Sequence, residues 1–441
     1  MSSTVPSRKA LTTSDAIRRA SGGPLHDDRL GLVLSGGAAR GAYEAGVLRF
    51  VYCDLAPRLG WTPWPWVISG TSVGALNGAF VAGRQARYVK RLSRIWQNMR
   101  IGDVYRLPEG GLFQVLRELL WPQQLSAFLD PSPLAELIRD KLPWAAMRNV
   151  LDTGEMGAFI IATTDLSNGN NTLFVDSIAP ELDWRLLPGT RLERAVLSYE
   201  HFMASAALPL LFPPVRVGDH LFVDGALRQN TPLRPSLHAG ATRVLVVGLQ
   251  ASEATIAARP LLRAVPSLPF LVGKSLNALL LDPVSRDVHH AETINRLVSW
   301  GTDHFGPEFA VQLTRDLGVR RVELLTLRPR TDIGRLAAEV FRATPPRVDG
   351  RLGWLLNQIA DRANDSEGES DLLSYVLFDQ AYTGQLEQLG WEDARDQEDE
   401  LAAFFCGASD CGASDGGASD GGASDGGERA TDGGPASGRP G

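Results

Sequence analysis

The chain has 441 residues, of which 44% are hydrophobic and 22% charged, and its formal net charge is −7. It is long enough for one large or two ordinary domains with a buried core, and the acidic balance argues against a nucleic-acid partner. Three cysteines, Cys53, Cys406 and Cys411, are too few, and odd in number, for a disulfide framework, and they fit a reducing compartment.

Residues 1–28 mix Ser, Thr, Pro and basic residues and lack the apolar core of a signal peptide, so they read as a flexible leader. No apolar stretch reaches the length of a membrane span. The nearest, residues 268–281, carries Lys274 and lies beside Pro266 and Pro269. The expectation is a cytoplasmic protein whose membrane contact, if it has any, is peripheral. From about 29 to 250, apolar runs at 32–35, 67–69, 159–163, 172–175, 221–223 and 244–247 alternate with helical patterns. Such alternation predicts an α/β fold, three-layered, with a largely parallel sheet covered by helices.

The first run ends in Ser35-Gly36-Gly37-Ala38-Ala39-Arg40-Gly41 and passes into a helix with Val47, Leu48, Val51 and Leu55 on one side. The second delivers Gly70-Thr71-Ser72-Val73-Gly74, a G-x-S-x-G elbow that exposes a serine oxygen on a tight strand-to-helix turn. Small residues follow it (Gly74, Ala75, Gly78, Ala79, Ala82), which lets the next helix lie close to the sheet. Residues 84–100 hold Arg84, Arg87, Lys90, Arg91, Arg94 and Arg100, read as the solvated face of a helix. Residues 102–150, rich in Leu, Trp and Pro, suggest short helices inserted as a cap. At 223–226, Val-Asp-Gly-Ala sets Asp224 at a strand end. Residues 251–400 are mostly helical in pattern (267–281, 289–297, 333–341, 350–362 and 372–389), with one strand at 321–327. They fit a second lobe or an extension of the first equally well. Residues 401–441, where a Gly/Ala/Ser/Asp unit repeats every five residues from Cys406, read as a disordered tail.

The glycine loop is a poor dinucleotide fingerprint, because Ala38 replaces the central glycine and no strand ending in an acid follows some 20 residues later. It suits an oxyanion cradle, which needs only backbone donors and small side chains. In order along the chain, Gly36-Gly37-Ala38-Ala39-Arg40-Gly41, Gly70-Thr71-Ser72-Val73-Gly74 and Asp224-Gly225-Ala226 resemble the patatin-like phospholipases, a family of lipid acyl hydrolases. The likeness covers residues 30–250, supported by Gly74-Ala75-Leu76-Asn77, Ala204-Ser205-Ala206-Ala207-Leu208-Pro209 and Phe212-Pro213-Pro214.

The resemblance implies a Ser72–Asp224 dyad without histidine, an oxyanion loop of Gly36, Gly37, Ala38, Arg40 and Gly41, elbow glycines at Gly70 and Gly74, no metal or cofactor, and a lipid or ester substrate. The family usually has a third glycine where this chain has Ala38, so the cradle depends on backbone angles that suit a β-carbon there. Two rival readings remain at this stage. One is a Ser-Asp-His triad drawing on His238, His289, His290 or His304, and the other a catalytically silent lipid-binding protein. Trp61, Trp64 and Trp66 either brace the core or, with residues 268–272 or apart from them, form a membrane-facing apolar rim.

Overall fold

A computed structural model describes residues 29–107, 129–178, 188–209, 211–251, 282–346 and 370–406, with isolated positions at 255, 273–275, 277–278 and 353. In chain order the strands are β1 (Leu30–Leu34), β2 (Val67–Thr71), β3 (Ala158–Asp165), β4 (Asn171–Asp176), β5 (Thr190–Arg194), β6 (Val215–Val217), β7 (His220–Asp224), β8 (Arg243–Val247) and β9 (Glu323–Leu327). The helices that follow the first two strands are α1 (Ala42–Arg49), α2 (Val73–Ala82) and α3 (Ala86–Gln97). Next come α4 (Ser132–Lys141), α5 (Trp144–Asp152), α6 (Tyr199–Ser205) and α7 (Leu233–His238). The C-terminal part supplies α8 (Asp282–Phe305), α9 (Glu308–Leu317), α10 (Ile333–Ala343), α11 (Ser370–Val376), α12 (Gln380–Asp396) and α13 (Glu398–Cys406).

The strands form one sheet in the order β5-β4-β3-β2-β1-β8-β9, and β7 joins β3 and β6 off that path. The pairs β1–β2, β1–β8, β2–β3, β8–β9 and β4–β5 are parallel, whereas β3–β4, β3–β7 and β6–β7 are antiparallel. The sheet is therefore the largely parallel one expected. The central strand β1 has no polar side chain because both of its faces are covered: Leu32 and Leu34 join one buried cluster and Val33 another.

The described residues of the C-terminal part continue the same body rather than forming a separate lobe. Strand β9 extends the same sheet beside β8, and α12 lies directly on α1. Two glycines permit that contact: a β-carbon on Gly46 would fall 1.8 Å from the Glu387 carbonyl oxygen, and one on Gly390 would fall 2.0 Å from that of Tyr43. The expected single helix over 372–389 is instead α11 and α12. The break falls at Leu377–Phe378–Asp379, where the Asp379 carboxylate accepts from the Ala381 N–H and caps α12. Residues 401–406, assigned with the tail on composition, belong to α13, whose Leu401, Phe404 and Phe405 are buried. The leader, the remainder of the tail (407–441), and the helices expected at 267–281 and 350–362 fall wholly or largely outside the described residues.

The tryptophans before β2 brace the core rather than forming a rim. The Trp64 ring stacks on Tyr52 at 4.8 Å, and Trp66 covers Gly157 with the Arg29 guanidinium 5.2 Å above its ring. They also lie at the opposite end of β2 from Ser72, roughly 20 Å away along an extended strand. Residues 268–272 are outside the described residues.

The α1–α12 contact gives a direct test of this integration. Gly390→Ala should lower the melting temperature of the whole protein in one transition, at a cost of about 1–3 kcal/mol or more, because the clash is with backbone. A separate low-temperature transition in a thermal scan would show instead that the C-terminal helices fold independently.

Candidate active site

Ser72 and Asp224 meet because two strands end against each other on one edge of β3. The other edge of β3 is occupied by β4 from Phe159 to Thr164. On the free edge β2 runs parallel as far as the pair Thr71↔Ala162, and β7 then arrives antiparallel with Asp224 opposite Thr163. Neighbouring β3 residues thus hold the C-terminal ends of both strands. The register is pinned by side chains, since the hydroxyls of Ser69 and Thr71 donate to the carbonyls of Pro232 and Gln229, just beyond the Asp224 turn.

The turn at Ser72 is strained. Its φ of 53° and ψ of −125° lie where non-glycine residues are rare. Three contacts keep it there. The Ser72 N–H donates to the Ser205 hydroxyl at 2.7 Å, and that hydroxyl donates in turn to the Ala162 carbonyl at 2.7 Å. Gly74 lets α2 reach the end of β1, because a β-carbon there would lie 2.5 Å from the Leu34 carbonyl oxygen. Gly70 is pressed against the Ala75 backbone in the same way. Ser205 lies in the Ala-Ser-Ala-Ala-Leu-Pro stretch that supported the family likeness, but nothing in the sequence assigned it this role.

Ser72 is 6% exposed and Asp224 2%. Burial pushes the Asp224 carboxyl up to about 7, against the opposing pull of the hydrogen bond from the Ala226 N–H and of the neighbouring Ser72 hydroxyl. The carboxyl is thus poised near neutrality, where a carboxylate in water would be fully ionised.

The glycine loop approaches from β1. Gly36 is clasped by Asn230, its N–H donating to the Asn230 carbonyl and its carbonyl accepting from the Asn230 amide. Gly37 and Ala38 line the same cavity as Ser72 and Asp224, and no described residue accepts from their N–H groups. Ala38 adopts a φ of 51°, the left-handed region that a glycine would occupy without strain. Both N–H groups stay open to the cavity despite the β-carbon of Ala38, and the cost is borne as strain. Gly41 serves close packing, since a β-carbon on it would meet Val73 at 2.3 Å.

Arg40 points away from the cavity. It is buried; its Nε donates to Ser374 Oγ at 2.8 Å, its guanidinium faces the Asp371 carboxylate at 3.5 Å, and it lies 4.1 Å above the Tyr375 ring. Lys274 reaches the other oxygen of Asp371 at 2.8 Å. Helix α11 therefore holds the strained loop from behind, and Tyr375 and Val376 of the same helix line the cavity. Sequence reasoning missed Asp371 and Ser374 as partners of this loop because they lie some 330 residues away.

The cavity is walled by apolar side chains, among them Leu76, Phe80, Leu92, Trp96, Leu134 and Leu142. Its only carboxylate among the described residues is Asp224, and no described histidine lines it. His238 lies on α7, and His289, His290 and His304 on α8, so none of the four is placed to complete a triad. Among the described residues no helix is long and apolar enough to cross a membrane.

Two stability measurements check this geometry. A carboxyl whose folded-state pKa is raised from 3.8 to about 7 contributes stability that is complete below pH 4 and is lost as pH rises towards 7. The stability gained by Asp224→Asn should therefore grow between about pH 4 and pH 7 and level off above. A pH-independent difference would show an ordinary carboxyl. Asp371→Ala should cost about 3–5 kcal/mol, because it leaves the buried Arg40 charge uncompensated, read as a shift of the denaturant midpoint.

The comparisons with known proteins agree with these motifs. Residues 32–237 match the family described as patatin-like phospholipase. No curated protein matches the chain. Among solved structures, VipD from Legionella pneumophila is similar at 12% identity and a TM-score of 0.35, over 85% of this chain and 67% of that one. Human GIVD cytosolic phospholipase A2, in complex with methyl gamma-linolenyl fluorophosphonate, is similar at 12% identity and a TM-score of 0.39, over 89% of this chain and 61% of that one. This chain thus spans about two thirds of the length of each, and scores this low add nothing to the assignment. The ordered glycine loop, serine elbow and Asp-Gly turn all fall inside the matched segment: residues 32–237 of this chain belong to the patatin-like phospholipase family.

Proposed function

We propose that the protein is a serine lipid acyl hydrolase that cleaves carboxylic esters of phospholipids or related lipids through Ser72 and Asp224. The observation that carries this reading is that Ser72 and Asp224 line one apolar cavity, beside two main-chain N–H groups with no described partner. The apolar wall suits an acyl chain, and the polar groups gather at one position, where the ester would lie.

In this mechanism Ser72 Oγ attacks the ester carbonyl carbon and its proton passes to Asp224. The carbonyl oxygen becomes an oxyanion, held by the N–H groups of Gly37 and Ala38 and favoured by the N-terminus of α2. As the C–O bond to the alcohol breaks, Asp224 returns the proton to the leaving oxygen. Water then attacks the acyl-enzyme, giving a proton to Asp224, and the collapse of the second tetrahedral species frees the acid and restores Ser72. A carboxylate is a weak base for a serine, and burial of Asp224 improves the match by raising its pKa towards the working pH. Arg40 acts at a distance by holding the loop that carries the two donors.

Hydrolysis of a soluble short-chain ester and of phospholipid should fall by about 1,000-fold or more in Ser72→Ala and in Asp224→Asn, with the double variant no worse than either alone. An alkyl fluorophosphonate should attach to Ser72, as read by peptide mass spectrometry. In the wild type kcat/KM should rise with pH through about 7, because only ionised Asp224 accepts the proton. Full activity in Asp224→Asn, or its loss on substitution of a histidine, would overturn the dyad.

A further inference from the structure

From Leu55 to Gly102 the chain has no Asp or Glu, although its net charge is −7, and within this stretch residues 84–100 carry six cations. Helix α3 arranges four of them, Arg87, Lys90, Arg91 and Arg94, at the i, i+3, i+4, i+7 spacing of one face. Val89, Leu92, Ser93 and Trp96 on the opposite face are buried, whereas Arg87, Lys90 and Arg94 are exposed and Arg91 is half-buried. None of the four pairs with a carboxylate among the described residues. Arg87 bonds to the Tyr88 hydroxyl and Arg91 to the main-chain carbonyl of Asp140. Glu387 of α12, the carboxylate packed against α3, is turned to the inner side, where Ser93, Gln97 and Arg49 satisfy it. Arg87 and Arg91, and likewise Lys90 and Arg94, are like charges one turn apart, which disfavours the helix in isolation. A stripe that keeps this repulsion without interleaved acids is matched to a negative surface outside the chain.

The position of α3 indicates which surface. Its inner side chains Leu92, Ile95 and Trp96 line the apolar cavity that contains Ser72. Ile95, Met99 and Leu137 separate that cavity from a surface groove bordered by Arg91, Arg94 and Arg106. The groove also holds Asp103, Glu136 and Asp140, so the unopposed charge is concentrated on the outer edge of α3.

We propose that the cationic face of α3 docks the protein on an anionic lipid bilayer, which places the acyl cavity immediately behind the docking surface. The proposal rests on the lipid-hydrolase reading above for its choice of a bilayer over other polyanions. It differs from the apolar rim considered from the sequence in being salt-sensitive, because attraction between a basic stripe and anionic headgroups is screened within a Debye length.

The test compares sedimentation of the full chain with phosphatidylcholine vesicles and with vesicles containing phosphatidylserine, at low and physiological salt. Wild type should bind the anionic vesicles preferentially and lose binding as salt rises. The variant Arg87→Gln/Lys90→Gln/Arg94→Gln should bind them about 100-fold more weakly, at roughly a factor of five for each charge removed. Its hydrolysis of a soluble short-chain ester should be unchanged, which separates docking from chemistry. Equal binding to neutral and anionic vesicles, undiminished binding by the variant, or no binding to either would overturn the proposal. Loss of soluble-ester hydrolysis in the wild type would instead sink the hydrolase reading.

Discussion

The geometry of the site depends on the free edge of β3. A strand edge offers a fixed row of donors and acceptors, and here two strands of opposite direction divide it between them. Because β2 and β7 both end at that junction, their terminal residues are brought together without a loop having to hold either one. Ser72 and Asp224 are thus positioned by sheet hydrogen bonds, which is a stiffer support than two flexible loops would give. The same junction explains the mixed sheet. Parallel pairing carries the elbow, as in other open α/β sheets whose sites lie at the carboxyl ends of strands, and one antiparallel strand delivers the acid.

Strain is concentrated at two residues beside this junction. Ser72 and Ala38 both have positive φ, a conformation costing of order 1–3 kcal/mol at a non-glycine residue. Neither is left to hold itself. Ser205 clamps the elbow to β3, Asn230 clasps the loop at Gly36, and the Arg40–Asp371 pair anchors the loop's far end. These clamps come from three distant parts of the chain, so the site can form only when the whole domain, α11 included, is folded. In the proposed mechanism the result is a pair of N–H donors fixed before substrate arrives, which removes the reorganisation that solvent would require.

Helix α3 links the cavity to the outside. Its inner face supplies apolar wall and its outer face carries unopposed positive charge. Core packing dictates the first of these properties and leaves the second free, since exposed positions on a helix tolerate most polar residues. An all-cationic stripe on a net-acidic chain is therefore a choice that folding does not explain.

The amino-acid sequence by itself determined the alternating α/β pattern, the parallel sheet and the elbow and turn that carry Ser72 and Asp224. Those features follow from local periodicity, turn chemistry and the need for glycine where backbones touch, as at Gly70 and Gly74. Only the tertiary structure decided that β7 runs antiparallel on the edge of β3, that Arg40 faces α11 instead of the cavity, and that the C-terminal region adds a strand and a buried helix to the first domain. It also packed the tryptophans against the core, one of the two places the sequence left open for them, and divided one expected helix at Asp379. Each of these depends on pairings between residues hundreds of positions apart, whose register is set by side chains that meet only after folding. Ala38 shows the division most clearly: its identity raised in the sequence the question of which backbone angles the loop adopts there, and only the structure gave the φ of 51°, because the contacts that force a β-carbon into the left-handed region lie elsewhere in the chain.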